Sequence, residues 1–323
     1  MIDLQDIERA RDRIRGNILA TPLVPSRSLS ELCGLPVHLK LEHHQTTGSF
    51  KLRGAFNALH QLTCAERARG VIAASTGNHG RALSFAAKAC GVKATICMSS
   101  LVPDNKIAEI RRLGADIHIV GRSQDDAQDE VERLVASQGL YPIPPFDHPA
   151  VIAGQGTLGL EIVEALPDCA TVLIQLSGGG LASGVARAIK SKLPKTHVIG
   201  ITMARGAAMK ASLDAGHPVQ VEEFDSLADS LGGGIGLNNQ LTFAMCRDLL
   251  DDVILLSEAE IAAGVQHAYL HEREIIEGAG AVGIAALIAN KVDRRGTTVT
   301  VLSGRNIDMQ LHRRIITAET GHE

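Results

Sequence analysis

Apolar and polar positions along this chain alternate between two patterns. Short aliphatic runs stand at 71–74 (VIAA), 94–98 (ATICM) and 116–120 (DIHIV). Each is followed by a stretch whose apolar residues return every third or fourth position: HGRALSFAAKAC, NKIAEIRRLG and DDAQDEVERLVASQ, the last with a stripe of Val131, Leu134 and Val135. A short aliphatic run suits a strand buried on both faces, and the longer spacing suits a helix. The alternation predicts β-α units building a parallel sheet with helices on both faces. A second series follows: TVLIQL, LASGVARAIKSKL, HVIGIT and a helix from about Gly206. Ser257 and Glu260 have capping-box spacing ahead of EIAAGVQHAYLHER. GAVGIAALIANK reads as a small-residue helix and TTVTVL as a closing strand.

Between the two series lies YPIPPFDHPA, with four prolines from Pro142 to Pro149. Such density does not fit a helix interior or a central strand and marks a crossing between domains. A chain of 323 residues suits two domains. The expected division is a large domain, 1–69 with 147–323, and a small domain, 70–146.

Composition narrows the function classes. Apolar residues make up 45% and charged residues 21%, as in soluble globular proteins. Aromatics are only 2%, so the core is aliphatic. The formal net charge is −4 with no basic stripe, which argues against a nucleic-acid partner. The N-terminal MIDLQDIERARDRIRG is a charged amphipathic helix without the apolar region of a secretory signal. No apolar run reaches the roughly 18 residues of a membrane span. Six cysteines without a C-x-x-C pair suit reduced thiols in a cytoplasmic protein. The histidines lack H-x-x-x-H and H-E-x-x-H spacing, so no zinc is expected.

Glycines cluster just past strand ends, in STGNHG, SGGGLASG, LGGGIG and LSGRN. Open α/β sheets bind ligands at the carboxyl ends of their strands. SGGGLASG, residues 177–184, follows an aliphatic strand and opens a helix, which suits a phosphate cradle. A tight turn with close helix packing is the plainer alternative. A nicotinamide site would need an acidic residue about 20 positions on. HVIGIT runs instead into MARGAAM, and no G-K-[ST] follows the glycines, so dinucleotide and P-loop sites are disfavoured. Lys51, in GSFKLRGA, stands between Phe50 and Leu52. Apolar neighbours lower a lysine's pKa, as a nucleophilic amine requires, although a lone lysine is ordinarily a solvated surface group.

The segment KLEHHQTTGSFKLRGA resembles the cofactor-lysine segment of the serine/threonine dehydratase family of fold-type II pyridoxal-phosphate enzymes. STGNHGRA, SGGGLASG and VLSGRNID resemble further segments of that family in the same order, as do GQGTLGLEI and EGAGAVG. The resemblance covers nearly the whole chain. It implies a two-domain α/β fold like the tryptophan synthase β chain, and pyridoxal 5'-phosphate as cofactor. Lys51 would hold the cofactor and remove the Cα proton, and Phe50 would pack near the ring. Asn78 would bond the cofactor's 3'-oxygen. Ser177, Gly178, Gly179, Gly180 and Leu181 would hold the phosphate, and Ser303 would face the pyridine nitrogen. Ser75, Thr76, Gly77 and His79 would line the substrate-carboxylate site, with Thr76 also a catalytic candidate. A homo-oligomer, dimer or tetramer, is expected.

Serine opposite the pyridine nitrogen is a neutral partner, which suits β-elimination better than transamination. The implied reaction is dehydration then deamination of a small hydroxy amino acid, such as L-threonine or L-serine, to a 2-oxo acid and ammonia. Ser177 stands where the family often has glycine, and Arg305 where it commonly has a small residue. Arg305 either reads an extra anionic group on the substrate or points to solvent. Thr76 stands where racemases carry serine, which weakens a racemase reading without excluding it. Met203 takes the place of a cation-binding glutamate of some relatives, so no Mg²⁺ or Ca²⁺ site is expected. Asp225 and Asp229 read as a solvated turn. A dehydratase of another 3-hydroxy amino acid, hydroxyaspartate or a hydroxyectoine-derived compound, is the alternative. A ligand-binding relative without catalysis and a nicotinamide oxidoreductase are the readings from other classes. The chain stops soon after VLSGRNID, so feedback control through an added regulatory domain is not expected.

Overall fold

The structure, a computed structural model, describes residues 2–318 except 76, 103 and 294. Among these the chain forms ten strands: β1 (Leu23–Ser26), β2 (Val37–Lys40), β3 (Val71–Ala74), β4 (Ala94–Met98), β5 (Asp116–Ile119), β6 (Tyr141–Pro142), β7 (Thr171–Gln175), β8 (His197–Met203), β9 (Asp252–Leu256) and β10 (Thr298–Val301). They build a six-stranded sheet, β1-β2-β10-β7-β8-β9, and a four-stranded sheet, β5-β4-β3-β6. Only the β1–β2 pairing is antiparallel.

Alternation within the strands explains the helices on both faces. In β7, Val172 and Ile174 join one apolar cluster while Leu173 joins the cluster on the other face. In β4, Ile96 and Met98 face Leu52, Phe56 and Leu83, while Cys97 faces Val131 and Leu134. Each strand thus has two buried faces, which is why it reads as a continuous aliphatic run. The small-residue segment forms the helix Gly278–Ile288. A Cβ on Gly283 would stand 1.8 Å from Thr300 Oγ1 of β10, so only glycine allows this helix so close to the sheet.

Three features escape the hydrophobic pattern. β1, β2 and β9 are not among the strands read from the sequence, although β1 and β9 each run directly into a helix, Arg27–Cys33 and Glu258–His267. YPIPPFDHPA does not merely cross: its first residues form β6 at the edge of the small sheet. Tyr141 N and Ile143 N donate to Gly70 and Ile72 carbonyls, so the missing N–H of Pro142 falls on the side facing away from β3. Pro149 opens the helix Pro149–Ala165, where proline's fixed φ and absent donor cost nothing. Finally, EIAAGVQHAYLHER is α-helical only to His267; a π-turn, Ala268–Glu272, ends on Arg273 at φ 64°. The cysteines form no disulfide. Among the described residues no helix is long and apolar enough to cross a membrane.

Candidate active site

Lys51 opens the helix Lys51–His60, and the approach to it is fixed by the strand end beyond β10. Ser49 pairs with Gly304. Phe50 N donates to Ser303 O at 3.1 Å, and Arg305 N donates to Gly48 O at 2.9 Å. Gly48 sits at φ +78°, and a Cβ there would stand 2.6 Å from Asn306 Oδ1. The helix is anchored one turn in by Arg53, which is wholly buried. Its guanidinium reaches Glu42 at 2.7 and 2.8 Å and Glu161 at 2.6 and 2.9 Å. Lys40 Nζ joins Glu161 and also donates to Thr21 O at 2.6 Å. A buried pair of this kind is costly to break from one side, by about 3–5 kcal/mol, because the partner's charge is left unpaired.

The Lys51 amine donates to Pro145 O at 2.7 Å and lies 5.3 Å from the centre of the Phe50 ring. Burial lowers its pKa to about 8, against the pull of Glu277, which acts to raise it. A substantial neutral fraction then exists near neutral pH, as a nucleophile or base needs.

On β7's far side, Gly179 is the N-cap of the helix Gly180–Lys192, at φ +85° and with no side-chain cap. The first-turn amides of a helix lack intrahelical partners and carry the positive end of its dipole. No side chain could occupy this cradle. A Cβ on Gly178 would stand 2.3 Å from the Phe146 ring, on Gly179 2.8 Å from Met209 Cε, and on Gly180 2.9 Å from Phe146 Cα. Ser177 is partly exposed at its edge, and Leu181 is buried in the first turn. Pro145 and Phe146 therefore connect the lysine to the glycine cradle. Asp147 fixes the next wall, accepting from Gln240, Leu241 and Thr242 amides at 2.6, 2.9 and 2.9 Å.

Asn78 opens the helix Asn78–Ala89 after β3. Its Nδ2 donates to Glu277 Oε1 at 2.7 Å, and its Oδ1 accepts from Asn306 Nδ2 at 2.5 Å. Glu277 also accepts from Asn306 N at 3.1 Å. Burial and the charge of Asp229 push its carboxyl up to about 7, although these hydrogen bonds pull the other way. Ser303 is buried beside this network, one residue before Gly304, whose added Cβ would meet Glu277 at 2.4 Å. Ser75 Oγ accepts from Gly80 N at 3.0 Å, and Gly77 is the side-chain-free N-cap of the same helix. His79 is buried with Nε2 2.7 Å from Ile143 O; burial, then the Lys51 charge, push its pKa down to about 3. Its imidazole is therefore neutral and already engaged. Thr76 lies outside the described residues.

Glu277, Asn306, Pro145 and Asp147 join the site although no residue pattern in the sequence assigns them a role. Glu277 lies in EGAGAVG, and a single carboxylate before a small-residue helix was the available signal. Met203 is buried and accepts from Thr202 Oγ1 at 3.3 Å. Asp225 and Asp229 are exposed.

Residues 14–304 match the family described as pyridoxal-phosphate dependent enzyme. The chain belongs to that family. It is 69% identical over 98% of its length to a putative threonine dehydratase of Sinorhizobium fredii, of which it covers 95%. It is 42% identical over 98% of its length to L-threonine ammonia-lyase of Thermotoga maritima, covering 78% of that protein. Among solved structures, serine racemase of maize superposes with a TM-score of 0.92 at 29% identity, over 97% of this chain and 96% of that one. The donor set described above fits the family's cofactor. An uncapped glycine helix terminus suits its phosphate, and a desolvated lysine suits its aldehyde.

Proposed function

We propose that this pyridoxal-phosphate dependent enzyme dehydrates and then deaminates a small hydroxy amino acid, such as L-threonine or L-serine, to a 2-oxo acid and ammonia in amino-acid catabolism. The observation that carries the reading is the desolvated Lys51 amine, set between a glycine-only helix terminus and the buried Asn78–Glu277–Asn306 network. When bound, the cofactor supplies an electron sink for the Cα carbanion. Gly178, Gly179, Gly180, Leu181 and the Ser177 amide would hold its phosphate, Phe50 would pack on its ring, and Lys51 would hold its aldehyde carbon until substrate arrives. Lys51, with its pKa near 8, would then take the Cα proton. Asn78 would hold the ring's 3'-oxygen in register. Ser303 would meet the ring nitrogen with a neutral hydroxyl, which keeps the sink weak and suits loss of a β-leaving group. Departure of the hydroxyl with a proton gives an enamine, whose hydrolysis releases ammonia and leaves the 2-oxo acid.

The substrate carboxylate would be read by the amides of the Ser75–Gly77 loop, Thr76 included, and the first turn of the helix Asn78–Ala89. The His79 imidazole is turned to Ile143, so its contribution would come from the backbone amide. Residues 70–146 would form the small domain that reads the carboxylate, and 1–69 with 147–323 the large domain that anchors the cofactor. A cytoplasmic homo-oligomer completes the proposal, supported by cysteines held as thiols and by the family likeness.

A second reading, a larger 3-hydroxy amino acid, is favoured by one feature. Arg305 and Asn306 line a cavity of about 380 Å³ beside the Asn78 network. A panel of hydroxy amino acids, assayed for 2-oxo acid and ammonia, separates the two. In the same assay Lys51→Ala is expected to lose turnover and the visible absorbance of lysine-bound cofactor. Its circular dichroism should stay unchanged. Retained absorbance at that wavelength would remove Lys51 from the role.

A further inference from the structure

No histidine spacing within a single helix offers a zinc site. The structure instead brings together two adjacent histidines and a carboxylate 230 positions away. His43 and His44 lie on the 3-10 turn Glu42–His44, and Glu274 follows the π-turn Ala268–Glu272 after Arg273. Glu274 Oε2 stands 2.8 Å from His43 Nε2 and 3.0 Å from His44 Nε2. One ligand atom from each residue lies within 4.8 Å of the others, and among the described residues this is the one His/Cys/Asp/Glu group of three that does so. Two ligand atoms about 2.05 Å from a tetrahedral ion stand about 3.3 Å apart, so each separation needs to open by only a few tenths of an ångström to admit one. From this we infer that His43 Nε2, His44 Nε2 and the Glu274 carboxylate form a site for a divalent transition-metal ion of the zinc class, distinct from the pyridoxal-phosphate site.

The surroundings support an ion with open positions. His43 is 1% exposed and its ring is held in one place; His44 and Glu274 are half-buried and face the 380 Å³ cavity lined also by Arg305 and Asn306. Two imidazoles and one carboxylate leave room for water or an anionic ligand from that cavity, as at open zinc sites. The Arg273 guanidinium, the nearest fixed cation by sequence, is bound to Leu270 O at 2.6 Å. Imidazole with carboxylate selects zinc, cobalt, nickel or iron over magnesium or calcium, which take oxygen ligands. The ion would replace the protons that the imidazoles otherwise share with Glu274. It would also tie the turn leading to Lys51 to the segment leading to Glu277. Asn306, on the same cavity, already bonds Thr47 O and Asn78.

The test uses the full cofactor-loaded chain, stripped with a chelator, dialysed and titrated with Zn²⁺. Cys64→Ser serves as background because that thiol is exposed. The expected result is one zinc per chain. His44→Gln and Glu274→Gln should each weaken half-saturation by at least about tenfold, as loss of a ligand requires. Co²⁺ should give visible bands of imidazole and carboxylate ligation without a thiolate charge-transfer band. Both variants change partly exposed side chains, and circular dichroism of the metal-free proteins verifies that they fold. If either variant fails to fold, the cobalt spectrum of the background protein decides alone. Binding well below one ion per chain, binding unchanged in both folded variants, or a cobalt spectrum without imidazole ligation would each overturn the site and leave a hydrogen-bonded cluster.

Discussion

Asn78 and Glu277, 199 positions apart, meet through a 2.7 Å hydrogen bond inside the protein. Each stands at the start of a helix, one after β3 and the other on the helix that packs on β10. The pair therefore joins the loop after the small sheet's β3 to the segment packed on the large sheet's β10. Its carboxyl is held near pH 7, so it changes charge in the working range.

Glu277→Gln is expected to change stability with a defined sign. The folded pKa is about 7 and the unfolded one about 4.5, so between these values the folded chain binds more protons. Stability contributed by this group is full below about pH 4.5 and falls as pH rises to about 7, by on the order of 1–3 kcal/mol. The amide does not titrate. Melting temperatures from pH 4.5 to 8 should show the variant gaining on the parent as pH rises. Parallel curves would mean that Glu277 is not a buried, titrating carboxyl.

Gly178→Ala tests the cradle. The added methyl would stand 2.3 Å from the Phe146 ring, and the neighbouring Gly179 is already at φ +85°. Moving Phe146 displaces Pro145, whose carbonyl holds Lys51. Cofactor affinity, measured by absorbance titration of the cofactor-free protein, should fall at least about tenfold, about 1.4 kcal/mol. Affinity within a factor of two of the parent would show that the methyl is accommodated and the glycine is not needed.

Much of the candidate site was legible because its parts are local. STGNHG, SGGGLASG and VLSGRNID each follow a strand directly, so a glycine run after an aliphatic run marks both the fold and the pocket. Lys51 was legible from its apolar neighbours and the segment it resembles. What stayed hidden is non-local. Glu277, Asn306 and Pro145 become site residues only when the sheets bring distant loops together, and no spacing rule reaches across such distances. The same holds for His43, His44 and Glu274. β2 lacks a helical run behind it, and the Arg53–Glu42–Glu161 cluster places charges where hydropathy expects none.

Ser303→Asp should redirect the chemistry. A carboxylate opposite the ring nitrogen favours its protonation through opposite charge and hydrogen bonding, and so makes a stronger sink. Elimination should fall at least about tenfold, about 1.4 kcal/mol in the barrier, while abortive transamination rises. Formation of 2-oxo acid measured with and without ammonia release distinguishes the two. Ser303→Ala, which stays neutral, should keep most of the elimination. Equal elimination in parent and Ser303→Asp would mean that residue 303 does not face the nitrogen.

Closure of the small domain is the last expectation. If residues 70–146 read the carboxylate while the rest holds the cofactor, bound substrate bridges the two and favours a closed state by its differential affinity. Closure expels water before the Cα proton is removed. The hinge should fall where the backbone is least held by packing. The helix Cys64–Arg69 has no buried residue, and Gly70 follows it at φ +91°. On the return path, Tyr141 and Ile143 are bonded to the β3 edge, so the bend should lie beyond them, between Pro144 and Pro149. Pro145 then moves with the hinge, and its carbonyl leaves the Lys51 amine as substrate arrives. Crystal structures with and without a non-reacting substrate analogue should show residues 70–143 rotating as a body while 177–181 stay fixed, with a smaller radius of gyration in solution. An unchanged orientation in both crystals, with superimposable scattering curves, would rule out substrate-driven closure.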